Sequence, residues 1–344
     1  MSPPRFFGSL PTGESVDAFT LTNAAHASVT ILTLGGIVSS LRMPDRNGVF
    51  ANLVLGFDDL TAYVAGHPYF GAIAGRVAGR ITEARFTLDD IIHPLAANDG
   101  SNHLHGGLRG FDKHVWSAHP VTRPDGADSL RLTRLSPDGE EGYPGNVTVA
   151  VTYTLTADHA LIIDSEASTD QATPFSLTHH GYFNLAGEGS GSVANHTLQI
   201  HADAYAPTDA AMTILGRREF VTAANDFRQP RLLAEAIPHL HQHHGDLYFL
   251  SASTGLREVA RLTEPTSGRI LSVTTTEACL QLYTGVSLDD SLIGKSGRPY
   301  GPHAGLCLEC EGYPDGANTP ALGDIILHPG TPQRHTTTYA FTTA

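Results

Sequence analysis

The strict alternation of apolar and small polar side chains between residues 147 and 156 constrains the fold more than any other feature of this sequence. The apolar positions are Val147, Val149, Val151, Tyr153 and Leu155. Because successive side chains of a strand point to opposite faces, this pattern predicts one long, half-buried strand. A short turn at 157–159 and a second apolar run at 161–163 follow, which predicts an antiparallel hairpin.

Strand-like runs of this kind recur along the whole chain and are separated by turn residues. The 35 glycines and 21 prolines indicate many tightly specified loops. Helical patterning is weak, with one short candidate at 231–237 that Pro238 would end. We therefore predict an all-β chain, a single domain over residues 1–344 built as one large antiparallel β-sandwich. The other predicted strands are 28–34, 51–57, 130–135, 196–201, 270–275, 279–283 and 336–342.

Charge and composition narrow the class of partner. The net charge of −14 disfavours nucleic acid, whose phosphates need Lys and Arg, and disfavours an anionic membrane surface. A neutral small molecule is a better candidate for the partner of such an acidic chain. The N-terminus does not resemble a signal peptide, no run of 18 apolar residues occurs, and three cysteines do not make a disulfide framework. We therefore expect a cytoplasmic protein, a monomer or homodimer.

The apolar run at 305–311 carries two carboxylates and stops at Gly, Tyr, Pro and Asp. In a strand, Cys307, Glu309 and Glu311 would share one face, and the residues between them would share the other. A carboxylate within an apolar strand is unfavourable unless it has partners or a chemical task. Glu309 is therefore the first candidate for catalysis, and Cys307 and Cys310, which face opposite sides, are not expected to bind zinc together.

Two histidine clusters are candidates for binding or acid/base chemistry. His103 and His105 would point the same way in extended backbone and could chelate a metal, although two ligands are too few for a site and a polar loop explains them equally well. His179 and His180 would face opposite sides of a strand, so at most one of them enters a pocket. An imidazole there would titrate near neutrality and suit general acid/base catalysis.

Two further positions are candidates for ligand binding. The cluster 239–244 is expected to be a solvated loop, but Asp246 directly precedes the apolar run 247–250 and could accept hydrogen bonds from sugar hydroxyls. The glycine-rich segment 71–81 lacks the lysine and hydroxyl residue of a phosphate-binding loop. Its Arg80 could still present a hydrogen-bonding fork to a ligand.

Taken in order, these segments resemble the aldose 1-epimerases, also called galactose mutarotases. The resemblance spans roughly residues 20–342, and its strength lies in the ordered set rather than in any one motif. The matching segments are Gly-Arg-Val-Ala-Gly-Arg-Ile at 75–81, Leu-His-Gly-Gly at 104–107, Gly-Phe-Asp-Lys at 110–113, Thr-His-His-Gly-Tyr-Phe-Asn at 178–184, Ala-Asp-Ala-Tyr-Ala-Pro-Thr-Asp at 202–209, Leu-Gln-Leu-Tyr-Thr-Gly at 280–285, Leu-Glu at 308–309 and Tyr-Pro-Asp-Gly-Ala-Asn at 313–318.

The resemblance implies a single large antiparallel β-supersandwich that interconverts the α- and β-anomers of an aldohexose such as glucose or galactose, with no metal and no organic cofactor. By position, Glu309 looks like the base and His180 like the acid. The implied substrate-binding residues are Arg80, His105 and Asp246. Glu309 is expected to favour the charged form of His180. The chain departs from the family pattern at Gly79, where the family usually has Asn, and at 214–219, where two arginines replace a Thr-Gly turn.

Other functions remain open at this point. Glu309 with Glu311 or Asp246 could be the two carboxylates of a glycoside hydrolase. A non-catalytic carbohydrate-binding domain and a metal-dependent cupin-like enzyme are further alternatives. Under the epimerase interpretation, Glu311 is expected nearer the exposed end of its strand.

Overall fold

The fold consists almost entirely of β-strands joined by tight loops. The computed structural model describes residues 3–210, 212–253 and 255–344. The strands, in chain order, are β1 (Arg5–Ser9), β2 (Ser15–Thr22), β3 (Ser28–Leu32), β4 (Val38–Pro44), β5 (Phe50–Asn52), β6 (Ile73–Ala74), β7 (Arg80–Ile81), β8 (Arg85–Leu88), β9 (Ile91–Pro94), β10 (His103–Leu104), β11 (Ser117–Thr122), β12 (Asp128–Ser136), β13 (Val147–Leu155), β14 (Ala160–Thr169), β15 (Thr173–Pro174), β16 (Thr178–His179), β17 (Tyr182–Phe183), β18 (Thr197–Ile200), β19 (Ala204–Ala206), β20 (Glu219–Phe220), β21 (Arg231–Leu232), β22 (Leu247–Phe249), β23 (Arg257–Thr263), β24 (Arg269–Thr275), β25 (Cys279–Tyr283), β26 (Leu306–Glu311), β27 (Ile326–Leu327) and β28 (Gln333–Thr343).

The helical elements of the described residues are short. The α-helices are α1 (Leu60–Ala65) and α2 (Leu233–Ala236). The single 3₁₀ turns are Thr82–Ala84, Phe111–Lys113, Glu140–Gly142, Val193–Asn195, Ile237–His239 and His241–His243.

The predicted hairpin is confirmed and lies in a large antiparallel sheet. β13 pairs with β14 along its whole length, and the sheet has nine strands in the order β11-β12-β13-β14-β28-β24-β23-β18-β21. The apolar positions are buried as predicted, with Val147, Val149 and Val151 in the core, but Ala150 and Thr154 on the other face are buried as well, so the strand is more than half buried. All-β architecture with antiparallel sheets is therefore confirmed.

A six-stranded antiparallel sheet in the order β17-β26-β25-β22-β19-β20 packs against the large sheet. Leu306 and Leu308 of β26 belong to the same buried cluster as the valines of β13. Tyr339 of β28 donates a hydrogen bond across this core to the carbonyl oxygen of Leu308, at 3.3 Å. One face of β26 therefore lies in the core between the two sheets, which leaves its other face for the site described below. The strands β1 to β5 form a third sheet.

Two local predictions differ from the structure. Of the predicted strand 51–57, only residues 51 and 52 belong to a regular strand, β5. Val54 forms an isolated bridge to Phe183. The predicted helix 231–237 begins as strand β21 and is helical from Leu233 onward. Pro238 lies inside the next 3₁₀ turn, where its missing N–H leaves no intrahelical hydrogen bond unmade.

Within the described parts of the chain, no helix is both long enough and apolar enough to cross a bilayer. The three cysteines, Cys279, Cys307 and Cys310, are buried free thiols. The single-domain assignment over residues 1–344 and the cytoplasmic location stay predictions.

Candidate active site

Strand β26 supplies the centre of the site, because its two faces differ as the sequence predicted. Leu306, Leu308 and Cys310 lie in the core between the sheets. Glu309 and Glu311 point the other way and line a cavity of about 200 Å³. That volume is below the roughly 300–1,000 Å³ typical of pockets for drug-sized ligands, so the cavity suits a smaller molecule.

His180 and Glu309 meet in this cavity. His180 Nε2 lies 3.5 Å from Glu309 Oε2, and both side chains are almost completely buried. The imidazole is stacked between two tyrosine rings, with centroid distances of 5.6 Å to Tyr69 and 5.1 Å to Tyr182. His180 Nδ1 lies 3.5 Å from the Cys307 sulfur. The ring is therefore held in one plane, with Nε2 facing the carboxylate.

His105 approaches the same pair from the loop after β10. Its Nδ1 accepts a hydrogen bond from the Gly79 backbone N–H at 3.1 Å. Since a backbone amide can only donate, Nδ1 carries no hydrogen, and the neutral ring must be protonated on Nε2. The ring lies edge-on to His180 at a centroid distance of 5.2 Å. His105 can thus donate a hydrogen bond to a ligand oxygen beside the pair.

Arg80 and Asp246 line the cavity as well. Arg80 Nε donates to Asp99 Oδ2 at 2.6 Å, which orients the guanidinium. Asp246, just before β22, is buried and accepts a hydrogen bond from Asn225 Nδ2 at 3.0 Å. All five side chains that the sequence singled out for the site therefore border one cavity, although they come from distant parts of the chain.

The donor set could also hold a cation. One ligand atom from each of His105, His180 and Glu309 lies within 4.8 Å of the others. Two imidazoles and a carboxylate are ligands that zinc accepts. Of the two alternatives for His103 and His105, hydrogen bonding within the protein describes His103. His103 contacts the Tyr143 hydroxyl at 2.8 Å and the Ala96 carbonyl at 2.9 Å through its two ring nitrogens.

Comparison with known proteins decides the family. A sequence profile of the aldose 1-epimerase family matches residues 17–340. The chain is 41% identical to a protein named galactose mutarotase from Bos taurus, over 98% of each chain. It is 34% identical to a protein named aldose 1-epimerase from Escherichia coli K12, over 96% of each.

The chain belongs to the aldose 1-epimerase family.

Solved structures agree with this assignment. A homologue of GalM/aldose epimerase from C. elegans superimposes with a TM-score of 0.88 at 28% identity, covering 96% of this chain and 99% of the other. A galactose 1-epimerase from Lactobacillus acidophilus superimposes with a TM-score of 0.86 at 26% identity, covering 99% and 98%. The predicted mutarotase-like fold is thereby confirmed.

Burial controls the charges in this epimerase-family site. It raises the pKa of Glu309 to about 8, with Arg80 opposing the rise, and lowers the pKa of His180 to about 3. The expectation that Glu309 keeps His180 in its charged, imidazolium form is therefore wrong for the site without a bound sugar. Desolvation outweighs the attraction between the two groups, so the proton shared by the pair resides on Glu309 at neutral pH.

Two expectations about neighbouring residues are also wrong. Glu311 was expected near the exposed end of β26, but it is 1% exposed and lines the cavity, as does Pro314 of the segment that follows the strand. The 239–244 cluster is solvated at His239, His241 and His243, as expected, but not at His244. His244 borders the cavity with its ring 4.5 Å from that of Tyr283.

Sequence reasoning missed several cavity residues. Tyr69 comes from a loop with no pattern that could have identified it, whereas Tyr182 lies in the matched family segment. Gln281 could have been found, because it lies in the matched family segment 280–285. In the structure it is the register partner of Glu309 in the β25–β26 pair. Its amide therefore stands beside the carboxylate at the cavity wall.

Proposed function

We propose that this protein is an aldose 1-epimerase, a mutarotase that interconverts the α- and β-anomers of an aldohexose such as glucose or galactose. One observation carries the proposal: a carboxyl group and an imidazole, Glu309 and His180, lie 3.5 Å apart at the wall of a small cavity. Membership of the family, over nearly the whole chain, supports it.

Ring opening of a hemiacetal needs two proton transfers. One proton must leave the C1 hydroxyl, and one must reach the ring oxygen. Since both oxygens are bonded to C1, two groups a few ångströms apart can serve them together. In the proposed reaction the Glu309 carboxylate removes the hydroxyl proton while the His180 imidazolium donates to the ring oxygen. Groups of this kind typically contribute about 10²- to 10⁴-fold in rate.

Reclosure reverses these roles. The aldehyde turns about the C1–C2 bond, and the freed hydroxyl attacks its other face. Neutral His180 takes the proton of the attacking hydroxyl, and protonated Glu309 returns a proton to the new anomeric oxygen. The pair therefore ends the cycle with the same proton that it had at the start.

The number of protons that His180 and Glu309 hold together matches what this reaction cycle requires. With pKa values of about 8 for Glu309 and about 3 for His180, the pair holds one proton at neutral pH, on Glu309. That distribution is the one required in the ring-opened state. Hydrogen bonds from sugar hydroxyls favour the Glu309 carboxylate, so sugar binding moves the proton toward His180.

The other predicted site residues would hold the sugar while C1 turns. His105 presents an Nε2–H donor, Arg80 a guanidinium oriented by Asp99, and Asp246 a carboxyl oriented by Asn225. Fixing the rest of the sugar converts the reclosure into a positioned intramolecular step. These contacts are proposed for the hydroxyls at C2, C3, C4 and C6 and for the ring oxygen.

We further propose that the protein works in the cytoplasm on free sugar, as a monomer or homodimer. Its three cysteines are buried free thiols, which suits a reducing compartment. The acidic net charge of −14 favours neither nucleic acid nor an anionic membrane as a partner.

Polarimetry of freshly dissolved α-D-glucose and α-D-galactose tests the proposed function. We expect the approach to the anomeric equilibrium to accelerate in proportion to enzyme concentration. Release of the aglycone from a chromogenic glycoside, without such acceleration, would instead favour a glycoside hydrolase. Sugar binding without acceleration would favour a non-catalytic carbohydrate-binding domain.

A further inference from the structure

Glu311 is a buried carboxyl group in the cavity wall to which the proposed reaction gives no task. It follows Glu309 by two residues on β26 and therefore shares its face. It is 1% exposed, and no described residue makes a hydrogen bond to its Oε2 atom. Buried polar groups without a partner are rare and unfavourable, so this oxygen calls for a ligand-based explanation.

The surroundings of Gly79 show where the Glu311 carboxyl lies. A Cβ atom built on Gly79 would be 2.5 Å from Pro314 Cγ and 3.4 Å from Glu311 Oε1. Of the atoms closest to that point, Glu311 Oε1 is the polar one. Position 79 precedes Arg80 and has no side chain in this protein. The carboxyl of Glu311 is therefore a polar group close to the space beside position 79, which is adjacent in the chain to Arg80.

The protonation state of Glu311 suits contact with a hydroxyl. Burial, followed by the nearby Glu309 and Glu277, raises its pKa well above the ordinary value. A protonated carboxyl group has one donor and keeps acceptor capacity. It can therefore pair with a sugar hydroxyl in either direction without adding a second negative charge beside Glu309.

We propose that Glu311 is a substrate-binding residue that holds one ring or exocyclic hydroxyl of the sugar through its carboxyl group, whose Oε2 atom has no hydrogen-bond partner among the described residues. This inference rests on the proposed function and names a further determinant of which aldose the site accepts. The proton-transfer steps stay with Glu309 and His180, and Glu311 acts on binding.

Two variants at this position separate hydrogen bonding from mere space filling. Glu311→Gln keeps a polar group of similar shape, and Glu311→Leu removes every hydrogen bond. Loss of the hydrogen bond to the sugar predicts that Glu311→Leu raises KM by roughly 10- to 100-fold. We expect Glu311→Gln to stay within about threefold of wild type. Glu235→Leu, an exposed position on α2, is the control for the substitution itself.

Deoxy sugars keep the test decisive if Glu311→Leu also perturbs the fold. Galactose and its 2-, 3-, 4- and 6-deoxy analogues are each compared between wild type and Glu311→Leu. For the analogue lacking the hydroxyl that Glu311 holds, wild type and variant should have the same KM, while the other sugars retain the full difference. An unchanged KM for galactose and glucose in Glu311→Leu overturns the proposal, and so does an equal rise in KM for every analogue.

Calorimetric binding of the same sugars keeps this inference separate from the proposed function. If wild type binds sugar without accelerating mutarotation, the proposed function fails, but the Kd values of wild type and Glu311→Leu still test Glu311. If Glu311 acts only by changing the electrostatics of Glu309, Glu311→Leu should shift the pH profile of kcat and leave KM and Kd unchanged. That result would also refute substrate binding by Glu311.

Discussion

His179 and His180 are adjacent in the sequence and have opposite environments. His179 lies in the core, with its ring 5.5 Å from that of Tyr339, and burial lowers its pKa to about 3. His180 faces the cavity and Glu309. The sequence predicted that only one of the pair could reach a pocket, since strand neighbours point to opposite faces. Spacing alone could not say which one, and the family resemblance made that choice.

Replacing Glu309 with Gln tests the base at the scale of one residue. Glu309→Gln keeps the shape and hydrogen-bonding capacity of the side chain but cannot accept a proton. We expect sugar binding to persist and the rate constant to fall by at least about two orders of magnitude, measured by calorimetry and polarimetry. Glu235→Gln, on the exposed surface of α2, should behave as wild type. Wild-type turnover in Glu309→Gln would remove Glu309 from the mechanism.

The pH dependence of kcat/KM follows from the His180–Glu309 pair. Activity needs one proton on the pair, and burial sets the pKa of His180 at about 3 and that of Glu309 at about 8. As pH rises through about 8 the pair loses that proton, and as pH falls through about 3 it gains a second.

We therefore expect a bell-shaped profile whose alkaline limb falls about tenfold per pH unit above the upper pKa, measured by polarimetry with the spontaneous rate subtracted. The same solutions without enzyme, and with the protein heat-inactivated, serve as controls. A flat profile between pH 4 and 9 would contradict the two-residue mechanism.

At the scale of elements, strand β26 shows what the alternation of side chains along a strand can and cannot predict. The division of its residues between a core face and a cavity face was correct, because a strand buried on one side fixes its register. The expected exposure of Glu311 was wrong. Alternation fixes which way a side chain points, but whether the strand end is covered depends on how other segments pack around it, here Pro314, which lines the same cavity as Glu311.

The stacking of Tyr69 on His180 joins a loop to the end of β16, and we expect it to fix the plane of the imidazole. Tyr69→Phe keeps the ring and should leave kcat within about twofold. Tyr69→Ala frees the imidazole and should lower kcat by about tenfold, because a misplaced proton donor loses much of its advantage. Polarimetric kcat and KM for both variants check this. Equal kcat in the alanine variant and wild type would show that stacking on Tyr69 does not position His180.

At the scale of the whole molecule, buried acids couple stability to pH. Glu277 lies outside the active-site cavity, 3.4 Å from His335, and burial raises its pKa from 4.5 to about 8. The folded state then binds a proton that the unfolded state has released. The contribution of this proton on Glu277 to the free energy of unfolding is therefore complete below pH 4.5 and is lost as the pH rises toward 8.

We expect Glu277→Gln to remove this dependence. Relative to the variant, wild type should lose up to about 1.4 kcal/mol of unfolding free energy per pH unit between pH 5 and 7.5. Urea unfolding of both proteins at these two pH values measures the difference, and exposed Glu235→Gln is the matched control. A constant difference between wild type and Glu277→Gln across this range would contradict a raised pKa at Glu277.

The sequence by itself determined the all-β class, the long hairpin of β13 and β14, the two faces of β26 and the membership of an epimerase-like family. These features depend on alternation and on ordered local motifs, which neighbouring residues specify. Only the tertiary structure decided that Arg80, His105, His180, Asp246 and Glu309 border one cavity. It also decided the burial of Glu311 there, the position of His244 at the cavity wall, and the pKa values of the catalytic pair. The reason is physical: burial and the approach of remote loops are set by how the sheets pack, and desolvation then fixes the charges.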